Sequence, residues 1–91
     1  MKFEWDEKKN KANIKKHKID FADVPVLFDG PMLVNMDTRD CGEDRWIGIG
    51  LLKTIVAVVV FTEPKEETIR IISARKATKH EREEYEKKIS H

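Results

Sequence analysis

The stretch from Thr54 to Thr62 limits the fold more than any other part of the chain. It is apolar at alternate positions of both phases and rich in β-branched residues, so as a strand it must be central and covered on both faces along part of its length. At 91 residues the chain is read as one domain, 1–91, with a single modest core.

The flanking sequence supplies the partners. Lys2 to Trp5 alternate polar and apolar and could add a short edge strand. Asp6 is an N-cap for a helix from about Glu7 to His17. That helix has little apolar content, Ala12 and Ile14, but Asn10, Asn13 and His17 share one face, either facing water or hydrogen-bonding a buried edge. Asp20 caps a second helix, with Ile19 and Val24 as a hydrophobic staple. Phe21, Val24, Leu27 and Phe28 face the sheet, while Pro25 makes this helix short and broken. Asp29-Gly30-Pro31 ends it.

From Met32 the period is two. Strands are expected from Met32 to Asp37, from Glu43 to Leu52, from Thr54 to Thr62 with Pro64 as terminator, and from Thr68 to Arg75. Connections this short require antiparallel pairing. On the second of these strands Gly48 and Gly50 share a face, leaving room for a covering helix. On the last strand simple alternation places Arg70 and Arg75 on opposite faces. Thr78 and Glu81 form a capping box for a last helix with a thin apolar stripe, Tyr85 and Ile89. The expected architecture is α+β: two N-terminal helices, a four-stranded antiparallel meander with the optional edge strand, and a C-terminal helix.

The net charge of +1 hides a division. Residues 1–18 carry seven lysines against three acids, residues 19–52 two basic against seven acidic groups, and residues 53–91 nine against seven. A uniformly basic nucleic-acid coat is excluded; a polarised surface is not. No apolar run is long enough to span a bilayer, the first residues lack a signal pattern, and the lone Cys41 makes neither an internal disulfide nor a metal framework. A cytoplasmic protein without cofactor or metal is expected.

Arginine within a strand needs water, a carboxylate or a phosphate at its head. Arg70 fits a cross-strand ion pair or a phosphate. Arg75, beside the N-terminus of the last helix, fits an anion held by guanidinium and amides together, or a salt bridge to Glu81. Asp37, Thr38 and Arg39 face Glu43, Asp44 and Arg45 across a hairpin. There Glu43 and Arg45 are either ordinary charge pairing or a carboxylate base beside a cationic stabiliser. His17 and His80 titrate near neutrality but lack further ligands at metal spacing. Metal-free RNA cleavage needs a base, cations and an acid. Glu43, His17, His80 and Tyr85 could transfer protons, and Arg45, Arg70 and Arg75 could hold the phosphate.

Several groups of residues in order resemble the BrnT toxin family. They are Phe3-Glu4-Trp5-Asp6 with Asn10, Asn13 and His17; Gly42-Glu43-Asp44-Arg45 with Ile47-Gly48; the run from Ile69 to Arg75; and Glu81-Arg82 with Tyr85. The resemblance spans nearly the whole chain. It implies a RelE-like fold and a type II toxin that cleaves RNA and arrests translation. It also implies a hetero-oligomer with a BrnA-like ribbon-helix-helix antitoxin, through which alone the complex meets DNA. Position by position it points to His17, Glu43, Arg45, Arg70, Arg75 and Tyr85 as catalytic, with Arg39 and His80 expected beside the substrate. One departure stands out: relatives often carry an arginine shortly after the threonine ending the central strand, where this chain has Glu63-Pro64. That departure implies the alternative of a weak or inactive member that serves as an antitoxin-binding module.

Overall fold

A computed structural model describes residues 1–37 and 44–89. The elements run β1 (Lys2–Glu4), α1 (Glu7–His17), a 3-10 helix (Phe21–Asp29), β2 (Met32–Asp37), β3 (Arg45–Leu52), β4 (Ile55–Lys65), β5 (Thr68–Lys76) and α2 (Lys79–Ile89). Strands β2 to β5 form the antiparallel meander that their connections demand.

The expected α+β class holds, but three details are corrected. First, the sheet is five-stranded and mixed, in the order β1-β5-β4-β3-β2. β1 pairs parallel to β5, with Lys2 opposite Thr68 and Glu4 opposite Arg70. The short-connection argument constrains consecutive strands only; β1 and β5 have most of the chain between them, so nothing forbids parallel pairing.

Second, the expected second helix is a 3-10 helix. Asp20 caps it by accepting from the Ala22 amide at 2.9 Å, and Pro25 withholds a backbone donor from any α-helical ladder. Phe21, Val24 and Leu27 are three apart, which at three residues per turn stacks them on one side. All three are fully buried. Third, β4 runs past Pro64 to Lys65, with a register irregularity between Thr62 and Lys65. Among the described residues the last β3–β4 pair is Trp46 with Phe61, so Pro64 lies beyond the described β3 pairing, where a missing N–H costs less than in the middle of a sheet.

The sheet is covered on both faces, as its central strand requires. On one face the 3-10 helix packs Phe21, Val24 and Leu27 against Ala57, Val59, Phe61, Ile69, Ile71 and Ala74. Gly48 and Gly50 belong to this face. A Cβ on Gly50 would stand 3.4 Å from Leu27 Cγ, and one on Gly48 3.0 Å from Met32 Sδ, so the glycines admit protein rather than ligand. On the other face α2 packs Tyr85 and Ile89 with Ala77 against Val56, Val58, Ile47 and Ile49.

Helix α1 closes the edge of β5 beyond the short β1. Its Asn10 and Asn13 are buried. Asn10 donates to Asp20 Oδ1 at 3.0 Å and accepts from the Phe21 amide at 2.8 Å. Asn13 donates to the Ile19 carbonyl and accepts from the Ala74 amide. The polar stripe of α1 therefore serves a buried edge, and α1 needs few apolar residues of its own.

Candidate functional site

The site is built by a β-bulge. On β5, Ser73 is opposite Val60 and Ile71 is opposite Phe61, leaving Ile72 as the extra residue. The bulge resets the alternation. Ile69 and Ile71 before it and Ala74 after it all enter the main core. Arg70, Ser73 and Arg75 are register partners of Thr62, Val60 and Val58, which puts all three on the α2 face. The expectation of Arg70 and Arg75 on opposite faces is thus corrected, because one unpaired residue lies between them.

The same face carries a row of polar side chains across the whole sheet. Asp37 on β2 is opposite Arg45 on β3. Arg45 and Thr62 come next on their strands after the Trp46–Phe61 pair. Thr62 is opposite Arg70 on β5, and Arg70 is opposite Glu4 on β1. The order across the sheet is carboxylate, guanidinium, hydroxyl, guanidinium, carboxylate. Asp37 and Thr62 are buried. The Thr62 hydroxyl finds no hydrogen-bond partner among the described residues. Arg70 reaches Glu4 Oε2 through Nε at 2.7 Å and Nη2 at 2.6 Å, with both side chains partly exposed.

One register step toward α2 lies a depression of about 410 Å³ lined by Ile47, Val58, Val60, Ser73, Arg75 and Glu81. Arg75 is held by a bidentate bond to Glu81, Nη1 to Oε1 at 2.8 Å and Nη2 to Oε2 at 2.9 Å. Glu81 also closes the capping box: its Oε1 accepts from the Thr78 amide, and its own amide donates to Thr78 Oγ1. The Arg75 guanidinium, with help from the Thr78 amide and against the effect of burial, holds the Glu81 carboxyl down at about 2.

The remaining candidates are more scattered. His17 ends α1 and is half-buried, and His80 is exposed in the first turn of α2. Tyr85 is buried, with its hydroxyl donating to the Pro31 carbonyl at 2.8 Å, so it ties α2 to the start of β2. Glu43 and Arg39 lie outside the described residues. The structure therefore brings Arg45, Arg70 and Arg75 together on one face, and adds Thr62, Ser73 and Glu81 as neighbours. Sequence reasoning read Glu81 as a capping-box residue and a salt-bridge partner of Arg75 rather than as part of a site, and it passed over Ser73, because the bulge that turns it outward has no clear signature in the run from Ile69 to Arg75. Among the described residues no three His, Cys, Asp or Glu side chains converge as metal ligands, and no helix is long and apolar enough to cross a membrane.

Residues 5–81 match the family described as "Ribonuclease toxin, BrnT, of type II toxin-antitoxin system". The chain is also similar to the crystal structure of the Brucella abortus ribonuclease toxin, BrnT, at 32% identity and a TM-score of 0.68. That match covers 87% of this chain and 99% of the other. No curated protein matches the chain.

Proposed function

Since the chain belongs to the BrnT family of type II ribonuclease toxins, we propose that it cleaves RNA without a metal ion on the α2 face of its sheet. The observation that carries this reading is the bulge at Ile72, which puts Arg70 and Arg75 on the face that also bears Arg45. Three guanidiniums on an open, half-polar surface suit a phosphodiester whose charge grows in the transition state. Glu43, two residues before Arg45, is the base. The 2′-hydroxyl proton passes to it, the 2′-oxygen attacks phosphorus, and the 5′-oxygen leaves with a proton from water. The products are a 2′,3′-cyclic phosphate and a 5′-hydroxyl.

Arg45 and Arg70 flank the phosphate, with Thr62 between them in the row. Arg39 and the histidines His17 and His80 are assigned to the surrounding substrate surface. Tyr85 is moved from the catalytic set to a structural one, because its hydroxyl is already donating to Pro31. The partner is a BrnA-like ribbon-helix-helix antitoxin that neutralises the toxin in the cytoplasm and carries the complex to DNA.

The test is cleavage of RNA by purified, antitoxin-free protein in excess chelator, beside Arg70→Ala and Glu43→Ala. Loss of cyclic-phosphate products in both variants, with folding intact, supports the reading. Equal activity in all three overturns the site. The Glu63-Pro64 segment, now part of β4, favours a second reading as an inactive antitoxin-binding module. That reading predicts no growth arrest when the chain is expressed without its antitoxin.

A further inference from the structure

A second depression, of about 420 Å³, lies at the β1 end of the polar row and is lined by Glu4, Trp5, Asp6, Lys9 and Arg70. Arg70 belongs both to the row and to this depression, so whatever fills the depression sits beside whatever the row holds. Trp5 supplies its aromatic wall. The indole packs in part against the main core, nearly perpendicular to Phe21 with ring centroids 6.3 Å apart, and its N–H donates to Glu7 Oε1. It nevertheless stays half-buried, with surface on the depression. A ring held in this way offers a planar group a stacking surface at little cost in ordering.

Both carboxylates at the rim are already accepting. Asp6 Oδ1 takes the amides of Lys8 and Lys9, and Glu4 Oε2 takes Arg70. The helix beyond them is strongly basic. Lys8, Lys9, Lys11, Lys15 and Lys16 of α1 stand against Glu7 alone, and all five are exposed. Among the described residues none of the five pairs with a carboxylate. Lys9 lines the depression, and Lys16, seven residues on, shares its face of the helix. An aromatic wall beside unpaired cations suits a single nucleic-acid strand, whose bases stack and whose phosphates follow the charge. Lysines alone would also suit an acidic peptide, but such a peptide gives the indole no planar partner.

We infer that the depression is a stacking subsite for the RNA base next to the scissile phosphate. The base lies on Trp5, Lys9 meets the following phosphate, and the strand continues along α1 toward Lys16. This rests on the ribonuclease reading for its substrate class. It adds a sequence-tolerant track that carries the strand away from the Arg45–Thr62–Arg70 row.

The test uses the full chain carrying Trp46→Phe, which leaves Trp5 as the only tryptophan. It is titrated with a short 2′-O-methyl oligouridylate, which lacks the attacking hydroxyl, and followed by Trp5 fluorescence. RNA cleavage in excess chelator is measured on the same preparation. The expected result is saturable quenching of Trp5, with binding about tenfold weaker for an abasic strand of the same length. Lys9→Ala, at an exposed position that leaves the fold intact, should make the slope of log affinity against log salt shallower by about 0.7. No binding, binding without quenching, equal affinity for the abasic strand, or a salt slope unchanged by Lys9→Ala overturns the subsite. Cleavage accompanied by any of these leaves the ribonuclease reading standing and removes the subsite. Quenching with the expected salt slope but no cleavage keeps the subsite and removes the ribonuclease reading.

Discussion

The side-chain oxygen of Asn13 accepts a hydrogen bond from the backbone N–H of Ala74 at 3.1 Å, while its amide donates to the Ile19 carbonyl at 2.9 Å. One buried side chain thereby joins α1, the chain entering the 3-10 helix, and the part of β5 that β1 is too short to cover. Without it, two backbone groups would be buried and unpaired.

Asn13→Ala is therefore expected to cost about 2–3 kcal/mol, the penalty for orphaning a buried donor and acceptor together. For a domain of this size that lowers the melting temperature by roughly 10 °C or more, read from a thermal melt. A loss below about 0.5 kcal/mol would mean that water takes the place of the amide and that the edge of β5 is not sealed by α1.

This edge also shows what the sequence could disclose. The stripe of Asn10, Asn13 and His17 was legible as a shared polar face, but its destination was not, because a parallel β1–β5 pair joins residues 66 positions apart and leaves no local signal. The capping residues Asp6, Thr78 and Glu81 were legible because capping is local chemistry. Phe21, Val24 and Leu27 were legible as buried, but their spacing of three suits a 3-10 helix as well as one face of an α-helix, and Pro25 decided between them. Most consequential for the site, alternation assigned Arg70 and Arg75 to opposite faces. A bulge is settled by which register buries Ile69, Ile71 and Ala74 together, and that depends on the neighbouring strand.

Thr62 is the residue whose retention most needs a reason. It is 3% exposed, and its hydroxyl has no partner among the described residues. A buried hydroxyl without a hydrogen bond is a cost that an isosteric methyl removes. Thr62→Val should stabilise the fold by up to about 1 kcal/mol in urea unfolding. If the hydroxyl serves the row between Arg45 and Arg70, the same variant should lose RNA cleavage severalfold. A variant that is more stable and equally active would place Thr62 outside the site.

The Glu81–Arg75 pair gives a pH dependence with a defined sign. The Glu81 carboxyl is held down from 4.5 to about 2, first by its bonds to Arg75. A folded value below the unfolded one means that the stabilisation is complete above about pH 4.5 and is lost as the pH falls toward 2. The stability difference between the native chain and Glu81→Gln should be constant above about pH 5 and shrink below it. Denaturant unfolding at a series of pH values measures this. A difference that stays constant down to pH 2.5 would show that the pair contributes nothing net to folding.

Arg70 and Glu4 lead to the opposite expectation for stability and activity. Their side chains are 48% and 40% exposed, and pairs of this kind contribute only about 0–1 kcal/mol. Neither Glu4→Gln nor Arg70→Ala should then shift the melting temperature by more than a few degrees. Their effects on RNA should diverge, because Glu4 occupies the guanidinium that a phosphate would otherwise engage. Arg70→Ala should lower kcat/KM for RNA by about tenfold or more, in line with a lost charge-assisted contact. Glu4→Gln should raise it severalfold at low ionic strength, and the gain should fade as salt screens the released charge. If Glu4→Gln instead impairs cleavage as much as Arg70→Ala, Glu4 is not a competitor for the phosphate. It is then the group that holds Arg70 in place, and β1 becomes part of the site rather than its cover.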